Sequence, residues 1–374
     1  MSTTAPFRGA ARAAAYVEED TARRRPADPA PPVEPSDAAL DEVDEVDTAS
    51  GSIEEIDVAS LTATDTSPIA RTGVRGLIAR TGVKLAPGRS ELAALARAAR
   101  LKADEDVIRQ TTWPRAVGIL VANRKGGVGK TPTSLILGGI LASIRGGSVA
   151  VMEVSDDPGT LTYRTEGNPT RGIGELVVDH DQIRSAGQLA SYTAPQTSFA
   201  SVIGTTGVRP QLVATDVLHA AAVVDEFYAI RVMDSGNQPS SSAFDGALAA
   251  TDALVIPVLN SAEAVLEAIS LLDYLRAGGT ANRRLADTAT IVRLIDGRAE
   301  NPQLNERLSK LLQQHRVEQV FEVPFDAHIA ERGPITLAKL APATRDAFTH
   351  LAAGIVQTMQ NQPIATKPTT GTKN

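Results

Sequence analysis

The chain has 374 residues, 43% of them hydrophobic but only 3% aromatic, and a formal net charge of −7. That is enough apolar material for one large α/β core, which Ala, Val, Leu and Ile must fill. The absence of cysteine excludes disulfides, cysteine-ligated zinc and thiol catalysis, and no apolar run reaches the roughly 18 residues needed to span a bilayer.

The first 16 residues contain Arg8 and Arg12 but no apolar stretch, so they do not read as a secretory signal, and a cytoplasmic location is expected. Residues 1–69 hold five Arg against fifteen Asp and Glu, with a Pro29-Ala30-Pro31-Pro32 run. Such a segment buries too little apolar area to offset its ordering entropy, and it is read as a disordered acidic tail. Residues 70–115 reverse the charge, with ten Lys and Arg against four acids. Ala70-Arg71-Thr72-Gly73-Val74 recurs as Ala79-Arg80-Thr81-Gly82-Val83. Ser90 then reads as the N-cap of an Ala/Leu/Arg-rich helix through Leu101. A basic helix of this kind either packs on the domain that follows or binds a phosphate backbone or an anionic surface.

From residue 116 to 358 strand-like and helix-like stretches alternate. Six apolar runs read as strands: 116–122, 148–154, 228–234, 253–258, 290–295 and 317–323. Helical stretches fall at 131–145, 211–226, 240–250, 261–277, 302–314 and 341–360. Strands apolar on both faces and joined by helices predict a doubly wound, mainly parallel α/β sheet. Residues 359–374 form a polar tail.

Between the first strand and the first helix lies Lys125-Gly126-Gly127-Val128-Gly129-Lys130-Thr131. Gly126, Gly127 and Gly129 let the backbone approach phosphates with its N–H groups, and the helix N-terminus adds a favourable dipole. Lys130 supplies charge to the β- and γ-phosphates, the Thr131 hydroxyl suits Mg²⁺, and Pro132 falls in the first helical turn, where a missing N–H costs little. The usual P-loop glycine is replaced by Arg124, and a second lysine, Lys125, stands inside the loop.

This loop resembles that of the ParA/MinD family of deviant Walker A ATPases, and the likeness covers roughly residues 115–358. The resemblance implies an ATP-binding P-loop fold, ATP and Mg²⁺ as cofactors, and slow, partner-stimulated hydrolysis. It implies an ATP-dependent homodimer in which Lys125 reaches the partner's phosphates, an activator protein, and non-specific DNA as cargo track. Asp234, at the end of the third strand before Ser235-Gly236, looks like the Walker B acid that holds Mg²⁺ through water. The family's second strand usually ends Asp-x-Asp-Pro. Here the stretch is Glu153-Val154-Ser155-Asp156-Asp157-Pro158, which favours Asp157 as the acid that positions water, with Glu153 in place of the missing first acid. Pro324, Phe325 and Asp326 resemble the segment that passes the adenine. No guanine-reading Asn-Lys-x-Asp tetrad is present. The chain lacks the basic amphipathic helix that ends MinD proteins, which argues against MinD-type membrane cycling. Partition or positioning of DNA is therefore the leading expectation. A regulator or scaffold of a secretion or conjugation apparatus is the alternative.

Overall fold

The computed structural model describes residues 86–362 and 364. The acidic tail, the nine-residue repeat and the end of the polar tail lie outside these residues. The first helix, α1 (Arg89–Gln110), begins after Gly88 rather than at Ser90 and runs nine residues beyond Leu101. Residues 102–110 contain no Gly or Pro, so propensity continues the helix. It stops before Trp113-Pro114, where the proline disfavours helical backbone at the residue ahead of it. Ile108 is fully buried in the core. Arg145 donates to the carbonyls of Ile108 (2.6 Å) and Thr111 (2.9 Å), satisfying the helix end. Arg97 donates to Asp346 at 2.6 Å. The described part of the basic segment is thus packed on the domain.

Eight strands form one sheet: β1 (Val117–Val121), β2 (Val149–Glu153), β3 (Ala194–Pro195), β4 (Ser201–Ile203), β5 (Ile230–Asp234), β6 (Ala253–Leu259), β7 (Thr290–Leu294) and β8 (Gln319–Val323). Their order is β3-β4-β2-β5-β1-β6-β7-β8, and only β3 is antiparallel to its neighbour. The six expected strands are present with ends shifted by at most two residues. The β3–β4 edge hairpin was not expected. Two- and three-residue strands are too short to show an alternation.

Alternate strand residues feed two cores. Ile119, Val121, Val151, Val232 and Val255 pack under α1, α2 (Lys130–Arg145) and α11 (Pro342–Gln360). Leu120, Met152, Met233, Leu254 and Ile256 face α3 (Ile173–Asp179), α5 (Ala214–Phe227), α6 (Ser242–Ala249), α7 (Ala262–Ala277), α8 (Thr280–Asp287) and α9 (Pro302–Gln314). Two short helices, α4 (Ala186–Ala190) and α10 (Ala327–Ala330), complete the set. Each fully buried aliphatic side chain contributes about 1.5–3 kcal/mol. The α2 helix lies unusually close to the sheet: a Cβ on Gly138 would stand 2.3 Å from Val151. That contact sets where the helix N-terminus points.

Candidate nucleotide-binding site

The carboxyl ends of β2, β5, β1 and β6 meet where chain connections leave in opposite directions, the place where open α/β sheets hold ligands. The loop after β1 is pinned on both sides. Asn123 donates to the Pro257 carbonyl (2.8 Å) and accepts from the Lys125 N–H (2.9 Å). Gly129 caps α2 at φ +92, and a Cβ there would come 2.4 Å from Leu294 Cδ1. Backbone angle and space both require glycine at this point.

Lys130 is turned inward. Its Nζ donates to the Lys125 carbonyl (3.1 Å) and to Asn237 Oδ1. Burial lowers its pKa to about 8, against the opposing pull of Asp234. Thr131 donates to Asp234 Oδ2 at 2.7 Å, and Ser134, one turn on, donates to Oδ1 at 3.2 Å. Asp234 is buried at the tip of β5. Burial raises its pKa to about 7, and the neighbouring Glu153 charge adds to the rise, against the Thr131 and Ser134 hydrogen bonds and Lys130. Glu153 is its register partner on the adjacent strand.

Glu153 organises the end of β2. Its Oε1 accepts from Arg209 Nη2 (3.0 Å), the Gly159 N–H (2.9 Å) and Thr205. Its Oε2 is buried without a hydrogen-bond partner among the described residues. Arg209 also donates to the carbonyls of Ser155 (2.9 Å), Asp156 (2.7 Å) and Asp157 (2.9 Å). This grip turns the loop so that the Asp157 side chain points away from the cavity. The side chain is exposed, accepts from Gln211 at 2.8 Å and stays out of the cavity lining, whereas Glu153 and Ser155 line it. Arg209 lies more than fifty residues from Glu153 in the chain and carried no sequence signal. Ser134 was also missed, although its i+3 spacing from Thr131 places both hydroxyls on one helix face.

The other expected residues divide. Gly127, Gly129, Lys130, Thr131, Pro132, Pro324, Phe325 and Asp326 line one cavity of about 900 Å³, within the range of small-molecule sites. Phe325 is half exposed there. Asp326 is a brace: its two oxygens accept from the His328 and Ala341 N–H groups, each at 2.9 Å. Gly126 lies against Asn237, and Val128 is buried in the core beneath the loop. Lys125 turns away from the cavity, pairs with Glu263 on α7 and keeps 39% of its side chain exposed.

This sheet, with a glycine-rich loop opening a helix below a strand-end acid, defines a P-loop nucleotide-binding protein. Residues 119–333 match the family model described as CobQ/CobB/MinD/ParA nucleotide binding domain. Over 258 residues the chain is 30% identical to the chromosome-partitioning ATPase Soj of Thermus thermophilus, covering 65% of this chain and 96% of Soj. It is 24% identical over 247 residues to the ESX-1 secretion-associated protein EspI of Mycobacterium tuberculosis, covering 63% of this chain but only 36% of EspI. The ParA family ATPase from Chlorobium tepidum shares the fold, with a TM-score of 0.50 at 14% identity over 66% of this chain and 96% of that one. The chain belongs to the CobQ/CobB/MinD/ParA nucleotide-binding family, a family of nucleoside triphosphatases. No described helix is long and apolar enough to cross a membrane.

Proposed function

We propose that the chain is an ATP-driven dimerisation switch that positions DNA or another cargo. The carrying observation is the division of labour between two lysines of one loop. Lys130 is buried against the phosphate loop, whereas Lys125 in the same loop faces away from the cavity, partly exposed and paired with Glu263. A charge placed there suits phosphates held by a second copy of the chain. Weighing the purified protein in solution with ADP and with ATP tests this. An ATP-specific dimer that Lys125→Ala abolishes is expected, and a wild type that stays monomeric with ATP sinks the switch.

Magnesium fits the donor set. Thr131 and Asp234 are hard oxygen donors 2.7 Å apart. Glu153 adds a second buried carboxylate beside Asp234, and its Oε2 has no hydrogen-bond partner among the described residues. Two adjacent buried carboxylates repel, and a divalent cation relieves both. No three His, Asp or Glu among the described residues gather into an all-protein cage. Mg²⁺ commonly takes one or two carboxylates and completes its shell with substrate phosphates. When bound, the cation supplies neutralisation of the phosphate oxygens. The protein's own part is to present loop N–H groups and to hold the Lys130 charge at the phosphates. Asp234 is kept in place by Thr131 and Ser134. Pro324 and Phe325 stand on the cavity wall where adenine is expected.

Two residues beyond Glu153 stands Ser155, whose hydroxyl is committed to the Asp157 carbonyl at 2.7 Å. A hydroxyl is a poor base, so turnover is slow and waits for a partner protein to complete the site. Partition of DNA is supported by the likeness to Soj. A hollow of about 350 Å³ lined by Arg283 and Arg316, and by Arg276 paired with Asp287, adds to it. Phosphate contacts of this kind weaken steeply with salt, so DNA retained with ATP is expected to release as salt rises. A protein that never retains DNA, even at low salt, leaves the second reading: a regulator of a secretion apparatus, which the likeness to part of EspI favours.

A further inference from the structure

The cavity does not end at the phosphate loop. Its lining also includes Thr160, Phe325, Ala330 and Arg332, together with Arg164 and Ile329, which touch one another. Arg164 closes the short 3₁₀ turn Thr162–Arg164 after β2. Its carbonyl accepts from the Ile335 N–H at 2.9 Å, and its Nη2 makes only a long contact, 3.3 Å, with the Ile329 carbonyl. Its Nε is buried with no hydrogen-bond partner among the described residues. Arg332 is exposed, and its backbone sits in the left-handed region at φ +58 just beyond α10. Neither guanidinium forms an ion pair with any described residue.

The acids of the cavity do not neutralise these two arginines. Asp296 is spent on Arg298, the third arginine of the lining. Both oxygens of Asp326 are taken by backbone N–H groups, and Glu153 and Asp234 sit at the phosphate-loop end. Burial, followed by the charge of Arg332, lowers the Arg164 pKa. Two like charges that act on one another are tolerated here without an ion-pairing counter-charge from any described residue. A guanidinium pair offers forked, planar donors that match the oxygens of a phosphoryl group. The triphosphate of ATP is accounted for by the phosphate loop, with which neither arginine side chain shares a hydrogen bond among the described residues.

We infer that Arg164 and Arg332 form a second phosphoryl subsite in the cleft, separate from the phosphate loop. It takes a phosphate carried on the ribose of a bound nucleotide, or a free phosphate held beside that nucleotide. The inference deepens the reading of the cleft as a nucleotide site and, in its first form, rests on it.

Calorimetry on the full chain decides it. Adenosine 3′,5′-bisphosphate is compared with AMP, for the wild type and for Arg332→Ala, whose exposed side chain leaves folding intact. A charge-assisted pair makes the bisphosphate bind about tenfold tighter than AMP, and Arg332→Ala brings that ratio close to one. The free-phosphate form is read separately, by titrating inorganic phosphate into Lys130→Ala protein, in which the loop is disabled. Binding that Arg332→Ala then removes supports the subsite even if no nucleotide binds at all. Equal affinity for the bisphosphate and AMP, together with no Arg332-dependent phosphate binding, overturns the subsite. Intact ATP binding in that same wild type leaves the nucleotide reading standing.

Discussion

Replacing Arg209 by Met tests how the end of β2 is held. The Arg209 and Glu153 side chains are 3% and 2% exposed and 3.0 Å apart. Methionine keeps the bulk and removes the charge, so Glu153 loses its one ion-pair partner among the described residues. Breaking one side of a buried ion pair costs about 3–5 kcal/mol. Of the three loop carbonyls that lose Arg209, those of Asp156 and Asp157 are only partly buried and regain part of their bonding from water. A net loss of about 4 kcal/mol is expected, a large share of a typical total stability of about 5–15 kcal/mol. For a domain of this size that lowers Tm by about 10 °C. Urea unfolding followed by circular dichroism measures the loss, and the melting curve checks it. Adding Glu153→Gln removes the stranded charge, so the double variant regains about half of the lost stability. A single variant within about 1 kcal/mol of the wild type refutes the reasoning. So does a double variant no more stable than the single one. Hydrolysis falls further than nucleotide affinity in the single variant, because the loosened loop carries Ser155 while the phosphate loop is untouched.

Gly129→Ala has to place a Cβ 2.4 Å from Leu294 at φ +92. It costs about 2 kcal/mol or more and loses nucleotide binding in calorimetry; an affinity within twofold of the wild type contradicts the glycine argument. Asp234 has a folded pKa of about 7 against 3.8 for the free side chain. The folded state therefore binds more protons than the unfolded one in that window, and stability of the nucleotide-free chain falls as pH rises from about 4 to about 7. Asp234→Asn flattens that slope in denaturant titrations at several pH values. Lys130 works in the other direction: its folded pKa of about 8 lies below 10.5, so its part of the stability is regained as pH rises from about 8 to about 10.5. Lys130→Met removes that rise. Glu263→Gln frees Lys125 from a surface pair and changes stability by less than about 1 kcal/mol; a larger drop in the unfolding midpoint shows that the pair holds α7 in place.

The parts of this protein legible in its sequence are those whose causes are local. Strands apolar on both faces announce a covered parallel sheet. The run Lys125 to Thr131 announces a phosphate loop, because Gly127 and Gly129 permit backbone angles that few other residues adopt. Asp234 could be placed because it ends an apolar run. The β3–β4 hairpin escaped because its strands are shorter than any period. The landing place of α1 escaped because its exposed N-terminal half carries no apolar stripe, and only Ile108 near its end is fully buried.

What the tertiary structure alone decided is where side chains point once distant segments meet. By sequence, spacing to Pro158 favoured Asp157 as the acid that positions water and left Glu153 to stand in for the missing first acid. In the fold, Arg209 arrives from a loop beyond β4 and takes the carbonyls of residues 155–157. Asp157 is thereby sent to the surface and Glu153 is kept beside Asp234. A motif specifies which atoms are available over a few residues. A guanidinium brought in from fifty residues away sets which of them face the ligand, because buried carbonyls and a buried carboxylate must find donors wherever the chain supplies them.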